Sequence, residues 1–90
     1  MKKFKVSHIL VDHKFEAEDL LRMINSGKDF NDLAKKYSRC ASAKSSGFLG
    51  EVSDRQLDSD FLEALEILKI GQISNPVKTK FGYHLIRRES

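Results

Sequence analysis

The chain has 90 residues and a net charge of +3, and 40% of its residues are hydrophobic and 32% are charged. A chain of this length forms one domain, so we expect residues 1–90 to fold as a single unit. Basic and acidic residues are interleaved along the whole length. A nucleic-acid-binding domain gathers its basic residues on one face, so this pattern disfavours nucleic acid as a partner.

The cysteine count and the apolar runs bear on the location of the protein. Cys40 is the single cysteine, so no disulfide forms within the chain. The longest uninterrupted apolar run covers residues 9–11, which is too short for the core of a signal peptide or for a membrane-spanning helix. We therefore expect a cytoplasmic protein without a membrane partner, or a domain cut from a longer protein.

The alternation of apolar residues over residues 5–11 predicts a first β-strand. Val6, His8 and Leu10 face one side of this strand, and Ile9 and Val11 face the other. Because both sides carry apolar groups, we expect the strand to lie in the middle of its sheet.

Two helices are predicted next, over about residues 15–24 and over residues 30–37, by apolar residues at helical spacing. Gly27 follows the first helix at the position of a C-terminal cap, and Asp29 precedes the second as an N-cap. Small and polar residues then dominate residues 38–50, which predicts a compact loop with room for one short helical turn.

A short strand, a third helix and a hairpin complete the predicted order. Helical spacing over residues 61–68 predicts the helix, with Gly71 just past its end. Pro76 then opens a hairpin of residues 77–79 and 83–87, in which His84 and Ile86 share one face of the last strand. This order predicts an α+β fold with a mostly antiparallel sheet.

His8 and His84 are the first candidates for a functional site. A lone histidine in a strand is more often a hydrogen-bonded core residue than a ligand. These two lie on the first and the last strand, however, and if those strands are neighbours the rings can hydrogen-bond and set each other's tautomer.

Two other chemistries would use the same residues. A zinc site could be built from His8, Cys40 and His84, but none of the compact ligand spacings of zinc sites is present. A nucleophilic Cys40 with a histidine base is the second, but nothing around the cysteine resembles a protease motif. We therefore expect no metal site.

Local strings along the chain carry a family resemblance. They are S-H-I-L-V at residues 7–11, F-x-x-L-A-x-x-Y-S-x-C at residues 30–40, S-A-K at residues 42–44, G-x-L-G at residues 47–50, Q-L at residues 56–57, and G-x-I-S-x-P-V-x-T-x-F-G-Y-H-L-I at residues 71–86. In order and spacing these strings resemble the parvulin family of peptidyl-prolyl cis/trans isomerases. The resemblance covers about residues 5–88.

The resemblance implies a fold and a set of site residues. The fold is a four-stranded antiparallel sheet with strand order 2-1-4-3, surrounded by about four helices. The implied catalytic residues are His8, Cys40, Thr79 and His84. The implied substrate-binding residues are Leu49, Gln56, Leu57, Phe61 and Phe81.

The activity that the resemblance implies is isomerisation of Xaa-Pro bonds in peptides and in unfolded or flexible protein segments. It requires no covalent intermediate, metal or cofactor, and we expect a monomer. The link after the first strand, residues 12–14, holds no arginine cluster, so the enzyme is expected to be indifferent to phosphate. The alternative is a parvulin-like peptide-binding or chaperone module with little turnover. A domain of this kind also occurs within longer exported foldases, which would change the expected location.

Five positions depart from the usual family pattern. Residues 46–50 read Ser-Gly-Phe-Leu-Gly where Gly-Gly-Asp-Leu-Gly is common, and residues 55–57 read Arg-Gln-Leu where Gly-Gln-Met is common. Val52 stands where an aromatic residue is frequent. These departures affect the expected efficiency and substrate preference more than the expected fold.

Overall fold

The computed structural model describes residues 2–90, which form four β-strands, three α-helices and two short 3₁₀ turns. In chain order these are β1 (Lys3–Val11), α1 (Lys14–Asn25), α2 (Phe30–Tyr37), the first 3₁₀ turn (Ala41–Ser45), β2 (Phe48–Ser53), the second 3₁₀ turn (Asp54–Gln56), α3 (Ser59–Glu66), β3 (Val77–Thr79) and β4 (Gly82–Arg88). None of the helices in this described part is long and apolar enough to cross a bilayer.

The four strands form one antiparallel sheet with the order β2-β1-β4-β3. This confirms the strand order and the α+β class expected from the sequence. β1 and β4 occupy the middle because each has apolar side chains on both faces, and a central strand is covered from both sides. The first and the last strand of the chain are therefore neighbours.

The core lies on both faces of this sheet. One face packs against α1 and α2 through the cluster Ile9, Val11, Ala17, Leu20, Phe30, Leu33, Ala34 and Leu85. The other face packs against α3 through the cluster Phe4, Val6, Phe61, Leu65, Leu68 and Ile86. The alternation predicted for the first and last strands is thus confirmed, since Val6 and Ile86 face α3 while Ile9 and Leu85 face α1 and α2.

The α3 face is only partly covered. With 8 residues, α3 is about 12 Å long at 1.5 Å per residue, whereas the 9 residues of β1 span about 30 Å. Whichever way it lies, a helix this short covers only part of that face. His8 and His84 lie on this face next to Phe61 of α3, which places the candidate site beside the helix.

Two predicted helix caps are confirmed. The Asp29 side chain accepts a hydrogen bond from the backbone N–H of Asp32 and so caps the N-terminus of α2. Gly27 follows the last residues of α1 with a φ of 108°, a conformation that glycine adopts without a steric penalty.

Several predicted boundaries were wrong. The structure has three α-helices rather than about four, because residues 41–45 and 54–56 form single 3₁₀ turns. The loop predicted over residues 38–50 ends earlier, since Phe48 already pairs with β1. The third helix covers Ser59–Glu66 instead of residues 61–68, because Asp58 caps it from the N-terminal side. Gly71 therefore lies five residues beyond the end of α3 and is not its cap.

Gly82 fixes the β3–β4 turn against the end of β1. A Cβ atom at this position would lie 2.4 Å from the backbone oxygen of Val11, and its φ is 139°. Only glycine fits this close approach. The turn therefore packs tightly on β1 and holds Thr79 and Phe81 beside the two histidines.

Candidate active site

A cleft of about 250 Å³ opens on the α3 face of the sheet. Its lining comprises the nine residues expected from the sequence and two that the sequence did not indicate: His8, Leu10, Cys40, Leu49, Gln56, Leu57, Asp58, Phe61, Thr79, Phe81 and His84. The structure thus brings all nine together in one cavity, and their individual roles stay predictions. Leu10 and Asp58 are the two additions.

His8 and His84 form the floor of the cleft. His8 pairs with Ile86 across the β1–β4 ladder and His84 pairs with Leu10, so the two rings are diagonal neighbours on one face. Their Nδ1 atoms are 2.9 Å apart, and the rings stack with a centroid distance of 5.1 Å. Both side chains are buried. The expected contact between the histidines is therefore present.

A hydrogen-bonded chain extends from this pair to the β3–β4 turn. The Thr79 hydroxyl lies 2.7 Å from His84 Nε2 and accepts a hydrogen bond from the backbone N–H of Phe81 at 3.2 Å. Each ring is a donor at one nitrogen and an acceptor at the other when it is neutral. Which atom donates in each of these hydrogen bonds therefore depends on whether the Thr79 hydroxyl donates to His84 Nε2 or accepts from it.

We assign the tautomers by choosing the arrangement that leaves the fewest buried polar groups without a hydrogen-bond partner. If Thr79 donates to His84 Nε2, the His84 proton lies on Nδ1 and is donated to His8 Nδ1. The His8 proton then lies on Nε2, a buried atom without a protein partner. In the reverse arrangement two groups lack a partner among the residues described, because His8 Nε2 is then an unpartnered acceptor and the Thr79 proton also has no acceptor. The cleft therefore presents one unpartnered N–H donor.

Burial keeps the histidine pair neutral. Desolvation, with a smaller contribution from the neighbouring His84, lowers the pKa of His8 from 6.5 to about 4. Desolvation also lowers the pKa of His84 to about 4, although the nearby Asp58 carboxylate acts in the opposite direction. At neutral pH both rings are uncharged, so one Nδ1 donates its proton and the other accepts it.

A β-bulge directs Leu49 into the cleft. Val6 pairs with Gly50 and the next residue, Ser7, pairs with Phe48, so Leu49 has no partner on β1. Such a bulge bends the strand and changes the direction of its extra side chain. The sequence offered no periodic signal for it.

Gly47, which directly precedes β2, holds the start of that strand against His8. Its backbone oxygen accepts the N–H of His8 at 2.9 Å, and a Cβ atom at Gly47 would lie 2.5 Å from the backbone oxygen of His8. This close approach and a φ of 86° require glycine.

Phe61 and Leu57 form the apolar wall of the cleft. Phe61 is buried and meets the edges of both imidazole rings, with centroid distances of 5.8 Å to His8 and 5.2 Å to His84. Leu57 is half-buried and packs on the same core cluster. Phe81 is exposed at the rim, so an apolar ligand in the cleft would contact aromatic and aliphatic groups on three sides.

The second 3₁₀ turn holds Gln56 at the rim. Its side-chain oxygen accepts the backbone N–H of Ser53 at 2.8 Å, which fixes the amide at the end of β2. The amide group is then preorganised beside the apolar wall and exposes its NH₂ group to a ligand.

Cys40 lies at the edge of the cleft without a bond to either histidine. Its backbone N–H and that of Leu10 both donate to the Ser38 hydroxyl, which ties the cysteine loop to β1. His8 Nε2 has no partner and both nitrogens of His84 are used within the network, so the Cys40 thiol is not activated by a hydrogen-bonded base. This geometry disfavours the hydrolase alternative.

The zinc alternative also finds no support in the part of the chain that the structure describes. No group of three histidine, cysteine or acidic side chains converges there in a way that could hold a metal ion. The Nδ1 atoms of the two histidines are directed at each other instead of at a common point.

Comparisons with known proteins agree with this geometry. Residues 6–90 match the family described as the PPIC-type PPIase domain, or rotamase. The chain is 44% identical over 87 residues to the foldase protein PrsA of Bacillus subtilis, a match that covers 96% of this chain and 30% of that protein. The chain thus spans about a third of the length of the foldase relatives it matches.

Solved structures show the same fold. The crystal structure of PrsA from Bacillus subtilis superposes with a TM-score of 0.93 at 43% identity, over 98% of this chain and 35% of that chain. The solution structure of NmPin, the parvuline of Nitrosopumilus maritimus, superposes with a TM-score of 0.86 at 38% identity, over 100% of this chain and 98% of that one. The chain therefore belongs to the PPIC-type, or parvulin, family of peptidyl-prolyl cis/trans isomerases.

Proposed function

We propose that this domain catalyses the cis/trans isomerisation of Xaa-Pro bonds in peptides and in unfolded or flexible protein segments, by a non-covalent mechanism. The observation that carries the proposal is an apolar cleft with one buried, unpartnered ring nitrogen at its floor, His8 Nε2, to which the tautomer assignment above gives the proton. The domain, residues 1–90, would act as a monomer without metal, cofactor, nucleic acid or membrane partner.

The barrier to be lowered comes from amide resonance. Rotation about a peptide bond costs about 18–20 kcal/mol, because the C–N bond has partial double-bond character. In the twisted transition state this resonance is lost, so the carbonyl oxygen carries less charge and the lone pair is localised on the proline nitrogen. A catalyst that binds this state better than the planar amide accelerates rotation without breaking a bond.

The apolar walls supply the first part of this preference. Leu49, Leu57 and Phe61 would receive the proline ring and remove water from the carbonyl group. Water stabilises the planar amide, because resonance places partial charges on its oxygen and nitrogen atoms. Removing that hydration raises the free energy of the planar state relative to the less polar twisted state.

The hydrogen bonds from Thr79 through His84 to His8 would supply the second part of the preference for the twisted amide. An N–H donor that reaches the proline nitrogen stabilises its lone pair in the twisted state more than in the planar state, where the lone pair is delocalised. His8 Nε2 is such a donor, and Thr79 and His84 hold its tautomer. In a dry cleft a preorganised dipole acts more strongly than in water.

A direct activity measurement tests the proposal. NMR exchange spectroscopy on short Xaa-Pro peptides, with micromolar folded protein, should show faster cis/trans exchange than the tens to hundreds of seconds of the uncatalysed reaction. If the protein shifts the peptide resonances but does not accelerate exchange, it is a peptide-binding or chaperone module instead.

Replacement of Cys40 is expected to preserve most of the activity. Cys40→Ser and Cys40→Asp should each retain kcat/KM within about tenfold of wild type, a change of about 1.4 kcal/mol, because no covalent step uses the thiol. Exchange rates on one Xaa-Pro peptide would be compared at equal concentrations of folded protein. If both variants lose nearly all activity while their circular dichroism spectra stay native, a covalent or thiolate role is correct.

Phosphorylation of the substrate is not expected to increase turnover. The link between β1 and α1 is only Asp12 and His13, and the nearby Arg39 is paired with Asp12 at 3.0 Å. No cluster of guanidinium groups is therefore available there for a phosphate. Matched Ser-Pro and phosphoserine-Pro peptides should be turned over equally, or the phosphopeptide more slowly. A strong preference for the phosphopeptide would contradict this.

The proposed location of the domain depends on whether it is free-standing or part of a longer protein. A free-standing domain would act in the cytoplasm, and a domain within a longer exported foldase would act outside it. In both cases the domain would act on chains that are not yet folded, because an Xaa-Pro bond must enter the cleft in an extended, accessible segment.

A further inference from the structure

We propose that Asp58 selects substrates by charge, and that the enzyme favours segments with lysine or arginine within two residues of the proline over segments with glutamate or aspartate there. This inference rests on the proposed isomerase function and names the class of polypeptide on which that site acts best.

Asp58 is the only residue of the cleft lining that is charged at neutral pH. The other residues of the lining are apolar or uncharged, and the two histidines are neutral there. A substrate that carries its proline into the cleft therefore meets one fixed negative charge. Apolar walls exclude water and reduce the screening of that charge.

The carboxylate is held in place and is not neutralised. Asp58 is the N-cap of α3, and its Oδ1 atom accepts the backbone N–H of Asp60 at 2.9 Å. The side chain is half-buried, and within residues 2–90 it forms no ion pair with a lysine, arginine or histidine. One carboxylate oxygen thus supports the helix and the other is available to a ligand.

The charge reaches the floor of the cleft. Asp58 raises the pKa of His84, which burial lowers more strongly, so the carboxylate acts across the cavity on a second residue of its lining. A cationic side chain beside a bound proline would feel the same field. Lys80 lies over the exposed ring of Phe81 at the rim and is itself exposed, so solvent screens its positive charge more than the charge of Asp58.

The function of an N-cap does not by itself need the charge. Asparagine caps a helix about as well as aspartate, since its side-chain oxygen accepts the same hydrogen bond. Asp58→Asn therefore removes the charge and keeps the cap. Asp60→Asn is a matched control, because Asp60 lies on the same helix turn but lines the neighbouring groove between α3 and β3.

The test measures kcat/KM at low ionic strength for matched peptides that carry lysine, alanine or glutamate before the proline or after it. For wild type, the lysine peptide should exceed the glutamate peptide about three- to tenfold at one of the two positions, as expected for a partly exposed charge pair. This ratio should fall below twofold in Asp58→Asn and in 0.5 M salt, and Asp60→Asn should keep the wild-type ratio.

Three outcomes would overturn the inference. They are equal turnover of all peptides by wild type, a preference for glutamate at both positions, and a ratio that persists in Asp58→Asn. Each of them leaves the isomerase function intact, since turnover is still measured. If no peptide is turned over by wild type, the proposed function fails instead.

Discussion

Acidification from pH 6.5 to about 4 is expected to lower the free energy of unfolding by at least about 3 kcal/mol. In the unfolded chain His8 and His84 take up protons near the ordinary pKa of 6.5, whereas in the folded protein burial lowers both pKa values to about 4. Between these values the unfolded state binds more protons, so stability falls as the pH falls. At about 1.36 kcal/mol for each pKa unit, the shift from 6.5 to about 4 corresponds to about 3 kcal/mol for one histidine. This value for a single ring is the lower limit for the pair.

Urea unfolding at a series of pH values checks this expectation. The unfolding free energy should be constant above about pH 7, fall between pH 6.5 and 4, and level off with respect to these two groups below pH 4. Activity should be retained down to about pH 5 and be lost when both rings become charged, because neither Nδ1 can then accept a hydrogen bond from the other. His13→Gln is the control, since this exposed ring lies outside the cleft and its removal should leave the transition in place. A flat stability profile over this range would show that the pair is not buried in a neutral form.

Phe61→Ala is expected to destabilise the protein by about 3–5 kcal/mol and to remove nearly all activity. Phe61 is 3% exposed and packs in the cluster between α3 and the sheet, and its ring makes T-shaped contacts with both histidines. Its loss leaves a cavity in the core, removes one wall of the apolar cleft, and gives water access to the imidazole rings. The proline ring would then be bound less well, and the dipoles of the cleft would be screened.

Leu65→Ala separates the two effects. Leu65 is fully buried in the same cluster but does not line the cleft, so its truncation should cost a comparable 2–5 kcal/mol in stability and preserve activity at a temperature where the variant is folded. Chemical denaturation and exchange rates on one Xaa-Pro peptide give both quantities for each variant. If Phe61→Ala is as active as Leu65→Ala when both are folded, Phe61 is not part of the binding wall.

Periodicity alone was sufficient for much of the fold. The strand at the start, the first two helices, the Asp29 cap and the final hairpin follow from local spacing and turn residues, because each of them carries its own periodic or capping signal in the sequence. The short helical turn expected within residues 38–50 is present at residues 41–45. The start of β2 was misjudged, because β2 exists through its pairing with β1, and the turn at residues 54–56 was not predicted.

The site was less accessible from spacing. His8 and His84 alone were ambiguous strand histidines, and it was the family resemblance across the whole chain that indicated nine site residues. Asp58 was missed as a site residue. Its position before a helical run marks it as an N-cap, but no sequence signal indicates that the cap faces the cleft.

The amino-acid sequence was thus enough to place the first strand, the first two helices and the final hairpin, and its resemblance to the parvulin family implied that the first and last strands pair. The tertiary structure alone decided that the β2 bulge points Leu49 inward, that His8 Nε2 remains without a partner, and that a single carboxylate faces an otherwise uncharged cleft. These features depend on distances between residues that are far apart in sequence, such as His8 and His84, and no local pattern contains such distances.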